Sequence, residues 1–142
     1  MLNETEMLDY VYQATDMGRD GVASVLKYAR QEDFRQALKQ QQAEYDKLWA
    51  ASSKMLRERG ERPKGVSPVA KLSAQMMTSI KAIADPSTSK LAEMMIQGNT
   101  MGMTKSLKHL HDYNGRDERV QDLADKLLKT EQANIEQMQK FL

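Results

Sequence analysis

The chain has 142 residues, 21 Lys and Arg against 20 Asp and Glu for a net charge of +1, and no cysteine. That length suits one domain with a real core rather than two, the charge balance excludes a strongly basic nucleic-acid binder, and the missing cysteines exclude disulfides, thiolate metal sites and cysteine nucleophiles. The opening MLNETEMLDY lacks the basic-then-apolar run of a secretion signal, and no stretch suits a bilayer span, so the expectation is a cytoplasmic protein without membrane or nucleic-acid partners.

Good helix formers dominate throughout, and no segment of useful length alternates with period two, which predicts an all-α chain. Five helices are expected. The first spans 4–29, with Leu8, Val11, Tyr12, Thr15, Val22 and Leu26 on one face. The second spans 32–59 and is carried by Phe34, Leu38, Tyr45, Leu48, Trp49, Ser52, Met55 and Leu56. RGERPKGVSP (59–68) is a linker broken by its glycines and prolines. Ser67 and Pro68 then suit the start of a short third helix that reaches Ala84, where Asp85-Pro86 stops it.

Ser87 caps a fourth helix over 88–113, and Asn114-Gly115 is expected to end it as a left-handed cap. The fifth covers 117–140. The four long helices are each about 38 Å long at about 1.5 Å per residue. Short connections make antiparallel hairpins of 4–59 and 88–140. The crossover, 60–87 with its short helix, is long enough to set the fourth helix parallel to the second. A faint echo, GVASVLKYAR (21–30) against GMTKSLKHLH (102–111), fits two similar hairpins.

Polar residues interrupt the apolar stripes near mid-helix. Stepping by three or four from Leu127 lands on Glu131 and Asn134. Gln41 lies on the stripe of the second helix, with Glu44 at its edge. Thr15 and Arg19 fall on that of the first, and Gln97 and Asn99 flank Gly98 in the fourth. A buried carboxylate needs a cation or several hydrogen-bond donors, or it protonates. Arg19 is the expected partner of Glu131 or Glu44, as a buried ion pair. Gly18, Gly21, Gly98 and Gly102 each cost about 1 kcal/mol against alanine in mid-helix. Close helix packing is their expected role, and room for a ligand is the alternative.

Two hairpins, a long crossover and acidic residues at mid-helix resemble the ferritin-like antiparallel four-helix bundle. The segment VSPVAKLSAQMMTSIKAIADPSTSKLAEMMIQGNTMG (66–102) is similar to the short inter-hairpin helix, polar break and glycine-bearing third bundle helix of the bacterial family known as domain of unknown function 2383. The resemblance implies a site for two metal ions built from a Glu on each of two helices and Glu-x-x-His on the other two. Here Glu131-x-x-Asn134 has lost the imidazole, Glu44-x-x-Lys47 carries a cation in its place, and the other two positions fall near Asp16 or Asp20 and near Gln97. His109 and His111, two residues apart, do not share a helix face.

The expected function is therefore a non-enzymatic binding or structural module with a degenerate metal site and no cofactor. The alternative is an iron or manganese oxidase or storage protein using Glu44 and Glu131. A third reading is a small-molecule binder using the polar midpoint and its glycine-lined space. Methionines cluster in mid-chain at Met76, Met77, Met94, Met95, Met101 and Met103. Their thioethers would suit Cu(I) or an adaptable partner surface, but core filling is the expectation. Ile96, Met103, Leu107 and Leu110 form a second apolar face on the fourth helix, which the crossover helix or the partner subunit of a homodimer would cover.

Overall fold

In the computed structural model, which describes residues 1–64, 79–84 and 86–142, four long helices account for most of the chain: α1 Glu4–Leu26, α2 Glu32–Glu58, α3 Thr88–Asp112 and α4 Glu118–Gln139. Each ends within three residues of its predicted boundary. Most of the expected crossover helix, including its Ser67-Pro68 start, lies outside the described residues, which retain a helical turn at 79–81. Among the described residues there is no strand beyond an isolated bridge between Leu2 and Tyr113.

Local chemistry sets the helix ends. Asn3 and Glu6 form a reciprocal capping box: Asn3 Oδ1 accepts from Glu6 N at 2.9 Å, and Glu6 Oε1 accepts from Asn3 N at 3.1 Å. Ser87 and Asp117 cap α3 and α4 by accepting from Lys90 N and Arg119 N. Gln31 makes no side-chain cap for α2; instead the Arg35 guanidinium spans the turn and donates to the carbonyls of Leu26 and Ala29. At the other end of α2, Gly60 adopts φ 75° and Glu61 N reaches back to Leu56 O at 2.9 Å, a Schellman closure.

The left-handed cap expected at Asn114-Gly115 does not form, because neither residue has positive φ. The chain leaves α3 extended at Tyr113 and pairs with the N-terminus, Leu2 N donating to Asp112 O and Asn114 N to Leu2 O. Backbone pairing with Leu2 satisfies groups that a glycine cap would otherwise serve.

The two hairpins, α1–α2 and α3–α4, pack on each other with α1 antiparallel to α3 and α2 antiparallel to α4, while α1 and α4, which also touch, run parallel. Leu2 beside Asp112 and Tyr10 beside Ser106 set α1 against α3 in opposite directions. Arg59 beside Asp117 and Gln41 beside Gln137 do the same for α2 and α4. Buried positions step by three and four along each helix, through Phe34, Leu38, Gln41, Tyr45, Leu48 and Ser52 in α2 and through Val120, Ala124, Leu127, Glu131, Asn134 and Met138 in α4. This spacing keeps one seam of each helix facing its partners. Fully buried Leu8, Phe34, Leu38, Leu56 and Leu127 anchor the core, each contributing about 1.5–3 kcal/mol by leaving water. Ile80 of the crossover turn joins that core. No helix among the described residues is long and apolar enough to cross a membrane.

Candidate functional site

Polar side chains descend the middle of the molecule one turn of α4 at a time. At the level of Gln137, its Oε1 accepts from buried Gln41 Nε2 at 2.9 Å, and its own Nε2 donates to Gln40 Oε1. Gln41 Oε1 is buried without a partner among the described residues. One turn on, Tyr45 Oη donates to Asn99 Oδ1 at 2.9 Å. Asn134 Nδ2 donates to Tyr45 Oη at 3.3 Å and to Asn99 Oδ1 at 3.4 Å, and Asn99 Nδ2 donates to Met95 O.

The next turn carries Glu131, only 4% exposed. Ser106 Oγ donates to its Oε1 at 2.6 Å, and Tyr10 Oη lies 2.9 Å from Ser106 Oγ. With the serine proton directed at the carboxylate, Tyr10 is the donor in that second bond. Oε2 accepts no hydrogen bond from any described residue and points at Gly102, where a Cβ would overlap it. No cation among the described residues pairs with Glu131, and burial pushes its carboxyl up to about 7 while the Ser106 bond pulls the other way. Burial also raises Tyr10 and Tyr45, and the Glu131 charge adds to both shifts.

This layer floors a cavity of about 300 Å³ between α1 and α3. Gly18, Gly98 and Gly102 border it together with Tyr10, Tyr45 and the side chains of Met17, Met94, Met95 and Met101. The glycines divide by role. A Cβ at Gly18 would stand 2.6 Å from the Tyr45 ring, and one at Gly102 would strike the Glu131 carboxylate, so both permit close approach. A Cβ at Gly98 would meet nothing within 4 Å, so that position opens on space.

Arg19 does not pair with Glu131 or Glu44. It lies half-exposed between α1 and α2, with Nε 2.6 Å from Asp46 Oδ1 and its guanidinium 4.2 Å above the Trp49 ring. The reason is register. The inward seam of α1 runs Thr15, Gly18, Val22, and the glycine has no side chain to mark its place; Arg19, one residue on, is turned about 100° away. Glu44 is likewise exposed and paired with Lys47 at 3.1 Å, because the seam of α2 passes from Gln41 to Tyr45. Gln97 is exposed at the cavity rim, whereas Gln41, Glu131 and Asn134 are buried.

Iron or manganese held by Glu44 and Glu131 does not fit this arrangement, since Glu44 is exposed and paired with Lys47, and the described residues of the layer offer one carboxylate and no imidazole. No group of three His, Cys, Asp or Glu side chains converges among the described residues. His109 stacks on Tyr10 at 3.7 Å between ring centroids, and its Nδ1 faces Lys105 O. Of the methionines, Met95 is core, Met94 is half-buried and Met101 is 57% exposed, which departs from core filling; Met76 and Met77 lie outside the described residues. On the second apolar face of α3, Ile96 and Leu110 pack against the protein's own core, Met103 is half-buried and Leu107 is 38% exposed.

Ser106 and Tyr10 were not marked by the sequence as members of this layer; Asn99 was marked only as a polar residue beside Gly98, and Tyr45 only as part of the apolar stripe. The available signal was the three-and-four seam of α3, which runs Met95, Asn99, Gly102, Ser106 and meets Glu131 across the hairpin.

No protein-family model matches the chain, and no curated protein does. Among solved structures, the crystal structure of a DUF305 fragment from Deinococcus radiodurans is similar at 19% identity with a TM-score of 0.69, over 96% of this chain and 93% of that chain. At that identity the likeness is one of fold: an all-helical chain whose helices pack in pairs.

Proposed function

We propose that the chain is a ferritin-like antiparallel four-helix bundle of non-enzymatic role, a cytoplasmic binding module in which a ligand cavity stands where such bundles hold metal. The observation that carries this reading is Glu131: a buried carboxyl with one oxygen anchored by Ser106 and the other turned to a cavity bordered by glycine and methionine. Ligand pockets are concave, mostly apolar, and carry a few placed polar groups, and at about 300 Å³ this cavity is at the small end of their range. Gly98 supports the same reading, because a helix-interior glycine with open space above it costs about 1 kcal/mol that close packing does not explain.

The test is binding of n-hexanol, a compact apolar probe, followed by NMR shifts at Met95 and Gly102. The probe is expected to perturb both residues in the wild type and to do so less in Gly98→Leu, which adds a side chain at the cavity border. Hexanol that leaves both residues unmoved in the wild type overturns the reading. So does near-stoichiometric iron or manganese in protein purified without chelators and lost in Glu131→Gln.

A further inference from the structure

We propose that the ligand of this cavity is an organic ammonium ion with a short apolar body, its N–H groups donating to Glu131 Oε2. The inference rests on the cavity being a binding site and adds the chemical class of its occupant.

Three features favour that class. The first is the free acceptor: Glu131 is 4% exposed, its Oε1 is committed to Ser106, and its Oε2 has no donor among the described residues. A carboxylate oxygen that borders the cavity without a donor among the described residues is matched best by a charged donor, since charge-assisted bonds are roughly twice as strong as neutral ones. The second is the lining. Two tyrosine rings and the thioethers of Met17, Met94, Met95 and Met101 surround the space, and aromatic faces and polarizable sulfur accommodate an alkylammonium better than a strongly hydrated ion. The third is what is missing for an inorganic ion: hard cations require six or more oxygen ligands, and one carboxylate among thioethers does not provide them.

Gly102 has a defined part in this arrangement. Its missing Cβ is the space that the Oε2 lobe of the carboxylate occupies, so the glycine keeps the acceptor at the cavity wall. The titratable groups around Glu131 are Tyr10 of α1 and Tyr45 of α2, both held neutral by burial, and Lys105 of α3 at the rim. Lys105 is exposed and leaves its charge in water rather than on the carboxylate.

Ammonium binding requires the ionised carboxylate, and that carboxyl titrates at about 7. Affinity for the cation is therefore expected to rise with pH and level off above 7, while a neutral ligand of the same shape shows no such rise.

Hexylammonium and n-hexanol, titrated into the full chain by calorimetry at pH 8.5 and pH 5.5, test this directly. Hexylammonium is expected to bind at least tenfold more tightly than hexanol at pH 8.5 and to lose most of that advantage at pH 5.5. In Glu131→Gln the preference should fall to within about twofold at both values. The pH profile uses the wild type alone, so the inference stays testable if the variant folds poorly. Equal affinities at pH 8.5, or a preference that survives in Glu131→Gln, would overturn the ammonium assignment while leaving the cavity a binding site. Absence of binding by either probe would remove the binding reading itself.

Discussion

Two polar clusters sit near mid-helix in this protein, and they behave oppositely. Glu131, Ser106 and Tyr10 form a largely buried layer in which the acid pairs with no cation among the described residues. Arg19, Asp46 and Trp49 form a clasp on the surface seam between α1 and α2, where the cation has an acid and a ring. The charges that would neutralise each other best are on different sides of α1. Burial, rather than the count of opposite charges, decides which cluster responds to pH and which one is nearly neutral for stability.

The largest test of that contrast is the pH dependence of folding. Burial moves Glu131 from its ordinary value of 4.5 to about 7 on folding, so the native state holds its proton more tightly than the unfolded chain. Stability from this group is greatest at low pH and is lost as pH rises from about 4.5 to about 7. The loss is worth about 3 kcal/mol at about 1.4 kcal/mol per unit. Denaturant unfolding at pH 5 and pH 8 should show wild type falling relative to Glu131→Gln across that interval. Parallel curves for the two proteins would mean that a cation already neutralises the carboxylate.

Next in size are the glycines that border the layer. Gly18→Ala places a methyl against the Tyr45 ring, whose hydroxyl is held by Asn99 and Asn134, and is expected to cost about 1–3 kcal/mol by overpacking. Gly98→Ala meets open space and is expected to gain up to about 1 kcal/mol from helix propensity and a less flexible unfolded chain. Thermal melts that move both variants in the same direction would contradict the division of roles.

The smallest effect belongs to the surface clasp. Arg19→Met should cost about 1 kcal/mol or less, since the guanidinium is half-exposed and shares its interaction between Asp46 and Trp49. A loss of about 3–5 kcal/mol, the scale of a broken buried pair, would show that Arg19 serves the interior after all.

Much of the helical plan was legible in the residues, because three-and-four spacing, Ser87 and Pro86 are local signals that need no partner to be read. Glu131 and Asn134 were legible for the same reason: they lie on an uninterrupted stripe between Leu127 and Met138. Arg19 was misplaced because the stripe of α1 passes through Gly18, and a residue with no side chain leaves the phase unmarked by one position. The Asn114-Gly115 cap was misjudged because its alternative partner, Leu2, is more than a hundred residues away along the chain.

By itself, then, the sequence determined the long helices, their hairpin order and the presence of a carboxylate on a core-facing seam. Those features follow from periodicity and capping within one segment. Only the tertiary structure decided what that carboxylate meets. Ser106, Gly102 and Tyr10 come from two other helices, and whether Glu131 faces a cation, a serine or an open cavity depends on how far each helix is rotated about its axis. A rotation of one residue, about 100°, exchanges a buried ion pair for a surface clasp.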